Sequence, residues 1–207
     1  MMKHGFLVAA LALPVLAVAG AAQTTGTPSF NAPYRAFTKS EFGGTLSFLS
    51  GTTIAPKRVG VEGQYRFGYQ KFDLGVRGGL LIPDGGGNSA FSLGAEGRGR
   101  MITHTENFPL DGALVVGVGG NFVSGGSTAL ISGGLSLGRR IDPQDTQVSI
   151  IPYAEPTMFI TSGNGTTDLN FAFGVGADFR LSRVFDVRAS IGFGDIEGIA
   201  FSAVWVH

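Results

Sequence analysis

Polar and apolar residues alternate with a period of two from Ser40 to the end of the chain. In residues 59–69, the odd positions carry mainly Val, Tyr and Phe, whereas the even positions carry Gly, Glu, Gln and Arg. The same division recurs in residues 72–82, 91–101, 169–181 and 185–193, and helical spacing fits none of these stretches. Because a period of two gives a segment one apolar and one polar face, the pattern predicts an all-β chain of amphipathic strands.

Turn-forming residues divide this region into ten predicted strands. Their predicted bounds are 40–50, 58–69, 72–82, 89–102, 112–123, 129–141, 147–160, 168–181, 185–194 and 198–207. Strands of soluble sheets usually run roughly 5 or 6 residues, whereas a tilted strand needs about 9 to 11 residues to cross a bilayer. The strand lengths therefore predict a single antiparallel, up-and-down transmembrane β-barrel of about ten strands, with eight strands as the alternative.

The first residues have the pattern of a secretory signal. Lys3 precedes the apolar run 6–19, and a stretch of small residues ends at Ala22. This run is shorter than the roughly 20 apolar residues of a membrane-spanning helix, and the small residues suit cleavage. We therefore expect a cleaved signal peptide at residues 1–22, a periplasmic N-terminal tail at residues 23–39, which lack the alternation, and the barrel at residues 40–207.

Aromatic residues on the predicted apolar faces gather at the two ends of the strands. The first group is Tyr65, Phe67, Tyr69, Phe72, Phe179, Phe185 and Trp205, and the second is Phe48, Phe91, Phe122, Phe171, Phe193 and Phe201. Two aromatic girdles are typical of a bilayer-spanning barrel. Charged residues make up 14% of the chain, which is low beside the roughly one quarter of a soluble domain. Both features favour apolar faces turned to lipid over the alternative, a soluble secreted β-barrel that binds a ligand.

The predicted barrel, residues 40–207, resembles the small outer-membrane β-barrel proteins of the broad OmpA/OmpX-like group. The resemblance lies in the strand layout and in the last strand, Ile199 to His207, which carries Trp205. In that group the last strand presents a C-terminal aromatic residue to the barrel-insertion machinery, although here the final residue is His207. The resemblance implies a location in the outer membrane of a bacterium with a two-membrane envelope, and the lipid bilayer and the insertion machinery as partners.

The composition argues against several kinds of chemistry. The formal net charge is zero, so no basic field favours nucleic acid as a partner. There is no cysteine, and His104 and His207, which follow the signal peptide, lie far apart in the strand layout. The sequence therefore offers few of the residues that a catalytic triad or a metal site needs. The carboxylate pair Glu62 and Asp73 is better explained by neutralisation through neighbouring arginines, so we expect no enzyme and no cofactor.

The inward positions carry a belt of charges, most of them toward the ends at which the predicted turns are tightest. The predicted lumen charge network consists of Glu62, Arg66, Asp73, Arg77, Glu96, Arg98, Arg100, Arg140, Glu155, Asp178, Arg180, Asp186 and Arg188. A three-residue turn at 182–184 would place Asp178 opposite Arg188 and Arg180 opposite Asp186. Toward the other end the inward residues are small, which predicts a shallow vestibule open to the outside.

The sequence thus predicts a non-enzymatic integral outer-membrane barrel with a charge-plugged lumen and a structural or surface-interaction role in the envelope. A small passive pore of porin-like character is the main alternative. The turns after the second, sixth and eighth strands are predicted to be tight and periplasmic, and the Gly/Ser/Asn-rich turns at the other end to be longer. Pro152 and Pro156 lack the N–H groups that a ladder needs, so a bulge or a weak seam is expected in that strand.

Overall fold

The computed structural model describes residues 24–33, 39–51, 57–144 and 146–207. The predicted signal peptide at residues 1–22 lies outside the described residues. Among those described, no helix has the length and hydropathy needed to cross a membrane.

Ten antiparallel strands form a closed barrel in which each strand pairs with its chain neighbours and β1 pairs with β10. The strands are β1 (Glu41–Leu49), β2 (Arg58–Tyr69), β3 (Phe72–Pro83), β4 (Ala90–Ile102), β5 (Asp111–Val123), β6 (Gly126–Gly138), β7 (Ser149–Gly163), β8 (Thr166–Arg180), β9 (Phe185–Gly194) and β10 (Gly198–Val206). The predicted architecture and the strand number of ten are confirmed. The end of the barrel at which β1 begins and β10 finishes is called the terminal end below, and the opposite end is called the far end.

The turn lengths differ from the prediction. At the far end, β5 and β6 are joined by two residues, and so are β7 and β8, whereas the terminal end carries the long connections 103–110 and 139–148. Asn164 and Gly165 have φ angles of 51° and 82°, as the tight hairpin turns that match strand twist require. The ladder continues through the Gly, Ser and Thr residues that the sequence assigned to loops, because backbone pairing needs no apolar side chain. The prediction is therefore wrong for the turns after β5, β6 and β7, whereas the two-residue turn after β2 and the longer connections after β1 and β3 are as predicted. The long 103–110 connection is an exception that the sequence already indicates.

The faces of the strands confirm the predicted alternation. Phe67 and Leu74 have 53% and 59% of their surface exposed, whereas Arg66, which directly precedes Phe67, is 3% exposed. Aromatic rings pack at both ends of the outer surface: Phe185 against Trp205 at the terminal end, and Phe91 with Phe122 at the far end. A surface that exposes large apolar residues all round and buries its charges suits lipid and not water. The chain is an integral β-barrel of the outer-membrane type, and the soluble alternative is wrong.

The seam between β6 and β7 is interrupted at a proline, as expected. The ladder skips Leu135 and Ser136, which lie opposite Pro156 and Glu155, and resumes with the same register on both sides. Proline has no N–H to donate, so a gap in the ladder follows from its position there. The unchanged register means that the strand accommodates the proline as a weak seam and not as a bulge.

Residues 24–33, here called the lumenal segment, lie inside the barrel. Nearly all of them are buried, including Thr24, Thr27 and Phe30, and they contact inward side chains of the strands. The sequence prediction of a periplasmic tail differs from this placement. The segment lacks a two-residue alternation because it is surrounded by the barrel wall on all sides and pairs with no strand of the closed sheet.

Candidate functional site: the barrel lumen

A first cluster of buried charges lies on β2, β3 and β4 near the terminal end. Arg66 donates through Nη1 to Asp73 and through Nη2 to Glu96. Arg98 donates to Oδ2 of Asp73 through Nε at 3.0 Å and Nη2 at 2.8 Å. Buried charges are tolerated where they are paired and hydrogen-bonded, and the planar guanidinium suits such two-point contacts.

A second cluster gathers around Arg188 on β9. Its guanidinium lies 2.8 Å from Oε2 of Glu41 on β1, 3.1 Å from Oδ2 of Asp178 on β8, and 3.8 Å from Oδ2 of Asp186. The strand register places Asp178 opposite Arg188 and Arg180 opposite Asp186, as the turn at 182–184 predicted. Arg188 therefore links β1, β8 and β9 on the inner side of the barrel wall.

The structure places ten of the thirteen predicted network residues in the buried lumen. They are Glu62, Arg66, Asp73, Arg77, Glu96, Arg98, Glu155, Asp178, Asp186 and Arg188. Arg180, the last residue of β8, is partly exposed, and Arg100, near the end of β4, is exposed. Arg140 lies in the 139–148 connection, where it is exposed and pairs with Asp142 at 2.7 Å. The sequence reasoning missed Glu41, although its alternation with Phe42 points it inward.

The barrel wall donates a hydrogen bond to each of five consecutive backbone carbonyls of the lumenal segment. The donors come from five different strands, and the accepting residues run from 28 to 32. The pairs are Ser190 Oγ to Pro28 O (2.6 Å), Arg77 Nη1 to Ser29 O (3.3 Å), Tyr153 OH to Phe30 O (2.8 Å), Ser136 Oγ to Asn31 O (2.7 Å) and Arg98 Nη1 to Ala32 O (2.9 Å). Two of these donors, Arg77 and Arg98, also belong to the predicted charge network.

Three lumen carboxylates hydrogen-bond with the segment. Glu62 accepts a hydrogen bond from the Thr27 hydroxyl at 2.8 Å. Asn31 donates its backbone N–H to Glu155 at 3.2 Å and its amide to Glu96 at 3.4 Å. The predicted neutralisation of Asp73 by arginines therefore holds, but Glu62 is satisfied by hydroxyl groups, since Ser92 also donates to it. The two carboxylates of the suspected catalytic pair have separate partners.

Small inward residues make room for the segment. A β-carbon built on Gly174 would overlap the ring of Phe30, and one built on Gly192 would lie 3.0 Å from the same ring. Phe30 belongs to a cluster of buried apolar side chains that includes Phe159 and Ile196 of the far half. Gly94 likewise lies against Thr24, so three of the small residues that suggested an open vestibule face the chain's own N-terminal part, and this region of the lumen is filled and not open.

The terminal end carries a polar cleft of about 870 Å³, lined by Lys39, Arg180 and Arg183 among others. Asp142, in the adjoining 139–148 connection, accepts hydrogen bonds from the hydroxyl of Ser149 at the start of β7 and from the guanidinium of Arg140. These hydrogen bonds, that of Ser149 first, hold the pKa of the Asp142 carboxyl below its usual value. His104, in the 103–110 connection, lies 3.0 Å from Asp111. Among the described residues, no group of three or more His, Asp or Glu side chains is arranged to hold a metal ion.

Comparisons with known proteins support the fold. No protein-family model matches the chain, and no curated protein matches its sequence. The crystal structure of the β-domain of the Bordetella autotransporter BrkA is similar, with 14% identity over 81% of this chain and 98% of that chain and a TM-score of 0.53. OmpT, an outer-membrane protein of Vibrio cholerae, matches 73% of this chain and 57% of that chain at 11% identity, but its TM-score of 0.34 is too low to show a shared fold. The outer-membrane β-barrel fold is thus confirmed, and the narrower OmpA/OmpX-like resemblance stays a prediction.

Proposed function

We propose that this chain is a non-enzymatic outer-membrane barrel whose lumen is closed by its own N-terminal segment together with the two charge clusters. The observation that carries the proposal is the run of five consecutive carbonyls, residues 28–32, each of which accepts a hydrogen bond from the wall. A segment held at five consecutive residues cannot move aside without the loss of several buried hydrogen bonds, each of which contributes about 0.5–1.5 kcal/mol.

The barrel diameter supports the same conclusion. An eight-stranded barrel is just filled by side chains, and diameter grows roughly linearly with strand number. Ten strands therefore leave a modest additional space, and in this barrel the lumenal segment lies in it. A small passive pore would need that segment to leave.

The absence of catalysis is part of the proposal and is supported by how the lumen carboxylates are used. Asp73, Glu96 and Glu41 contact arginines, while Glu62 and Glu155 contact the lumenal segment. A general acid or base needs access to a substrate proton, whereas these carboxylates are buried among fixed partners. We therefore propose a structural or surface-interaction role in the envelope, and a last strand, with its exposed Trp205, that is recognised during barrel insertion.

Recording of ion current through a planar bilayer tests this function. We expect the intact chain to give no steady conductance, because the segment and the charge clusters occupy the lumen. The variant that combines Arg180→Ala with Arg188→Ala removes guanidinium groups near the terminal end and should let ions leak. A stable, large ohmic conductance from the intact chain would contradict the proposal and favour the small-pore alternative.

A further inference from the structure

We infer that the lumen is a binding site for a peptide backbone, which the chain occupies with its own residues 24–33. The class of ligand that it takes is an unfolded polypeptide segment with one suitably spaced aromatic residue. This inference rests on the proposed closure of the lumen. It adds to that closure a recognition site with its own specificity.

The barrel wall binds the backbone of the segment. The donors to the five carbonyls are Arg77 on β3, Arg98 on β4, Ser136 on β6, Tyr153 on β7 and Ser190 on β9. Because these five donors stand on five strands spread around the closed barrel, only a wall that surrounds the chain can serve all five carbonyls. Contacts to the main chain give affinity that does not depend on the side chains of the ligand.

The wall contacts specific side chains of the segment at only a few places. The ring of Phe30 lies over Gly174 and Gly192, where any larger residue would displace it. Thr27 and Asn31 donate to Glu62 and Glu96. A suitable ligand therefore carries a hydroxyl residue three positions before the aromatic residue and an amide residue directly after it.

The barrel closes without the segment. The sheet from β1 through β10 closes through pairing between strand residues alone, so removal of residues 24–33 breaks no strand pairing. Backbone pairing in a closed barrel leaves no free sheet edge. The segment is thus related to the barrel as a ligand is to its receptor.

The test uses a chain that lacks residues 24–33 and a fluorescent synthetic peptide with the sequence of those residues. In detergent, fluorescence anisotropy should show saturable binding of the peptide to the shortened barrel. A peptide with Phe30→Ala should bind at least roughly tenfold more weakly, because it loses the ring that packs against Gly174 and Gly192. The intact chain, in which the site is already occupied, is the matched control and should not bind the labelled peptide.

Each outcome decides the question. If the shortened barrel folds and the peptide does not bind, or if the Phe30→Ala peptide binds equally well, the inference is wrong. In that case, the absence of ion conductance from the intact chain in the bilayer would still support the proposed closure of the lumen. Should the shortened chain not fold alone, the peptide is added during refolding. Rescue by the native peptide and not by its Phe30→Ala version supports the inference, and failure of both to rescue overturns it.

Discussion

Replacement of Arg188 by alanine should lower the free energy of unfolding by about 3–5 kcal/mol, the usual cost of removing one partner from a buried ion pair. Arg188 lies within 3.8 Å of carboxylates from Glu41, Asp178 and Asp186 and is 3% exposed. Its loss leaves these acidic groups close together in a space that water reaches poorly, so the native state loses attraction and gains repulsion. Denaturant unfolding of the barrel in detergent measures the change.

Two further variants separate this effect from the general loss of an arginine. Arg140→Ala removes an exposed guanidinium at the same end of the barrel, and we expect no measurable loss of stability from it. Arg188→Ala combined with Glu41→Gln removes one of the acidic groups as well, so the double variant should be more stable than Arg188→Ala alone. If Arg188→Ala unfolds at the same denaturant concentration as the unmodified chain, the charge cluster has no structural role.

Replacement of Gly174 by valine should open the lumen. The new side chain would occupy the space of the Phe30 ring, so the segment must give up its position or the barrel must distort. Overpacking of a filled site costs about 1–3 kcal/mol. We expect a loss of stability of that size and the appearance of ion conductance in planar bilayers where the intact chain gives none.

Gly63→Val provides the matched control. Gly63 lies in β2 on the outer face, and a β-carbon there meets no atom within 4 Å. Valine favours strands, so this variant should be as stable as the unmodified chain or slightly more so. If Gly174→Val and Gly63→Val behave alike in both measurements, the position of the Phe30 ring does not require a glycine at residue 174.

The sequence predicts the barrel well because successive side chains of each strand point alternately to the lipid and to the lumen. Phe67, Leu74 and Phe173 point outward while Arg66 and Asp178 point inward, and one residue of slip would reverse this arrangement. The pairing of charges within the β8–β9 hairpin was also predictable, since a turn fixes the register of the strands beside it.

The contents of the lumen were harder to predict. The segment 24–33 has no alternation, because a chain enclosed on all sides has no separate polar and apolar faces. Its signal was indirect: Gly94, Gly174 and Gly192 are small inward residues, and they indicate space without indicating what fills it. The chain that fills this space comes from a part of the sequence that pairs with no strand, so no local pattern joins the two.

The most direct test of the account is whether residues of the lumenal segment are shielded in the folded barrel. The chain has no cysteine, so Ala32→Cys introduces a single thiol at a site that is 1% exposed. Ser124→Cys, at an exposed turn of the far end, and Thr105→Cys, in the exposed 103–110 connection, serve as controls. We predict that a water-soluble thiol reagent labels both control variants within the mixing time but labels Ala32→Cys only after the barrel is unfolded in denaturant. Labelling of Ala32→Cys in the folded barrel at the rate of the controls would place the segment outside the lumen and contradict the account.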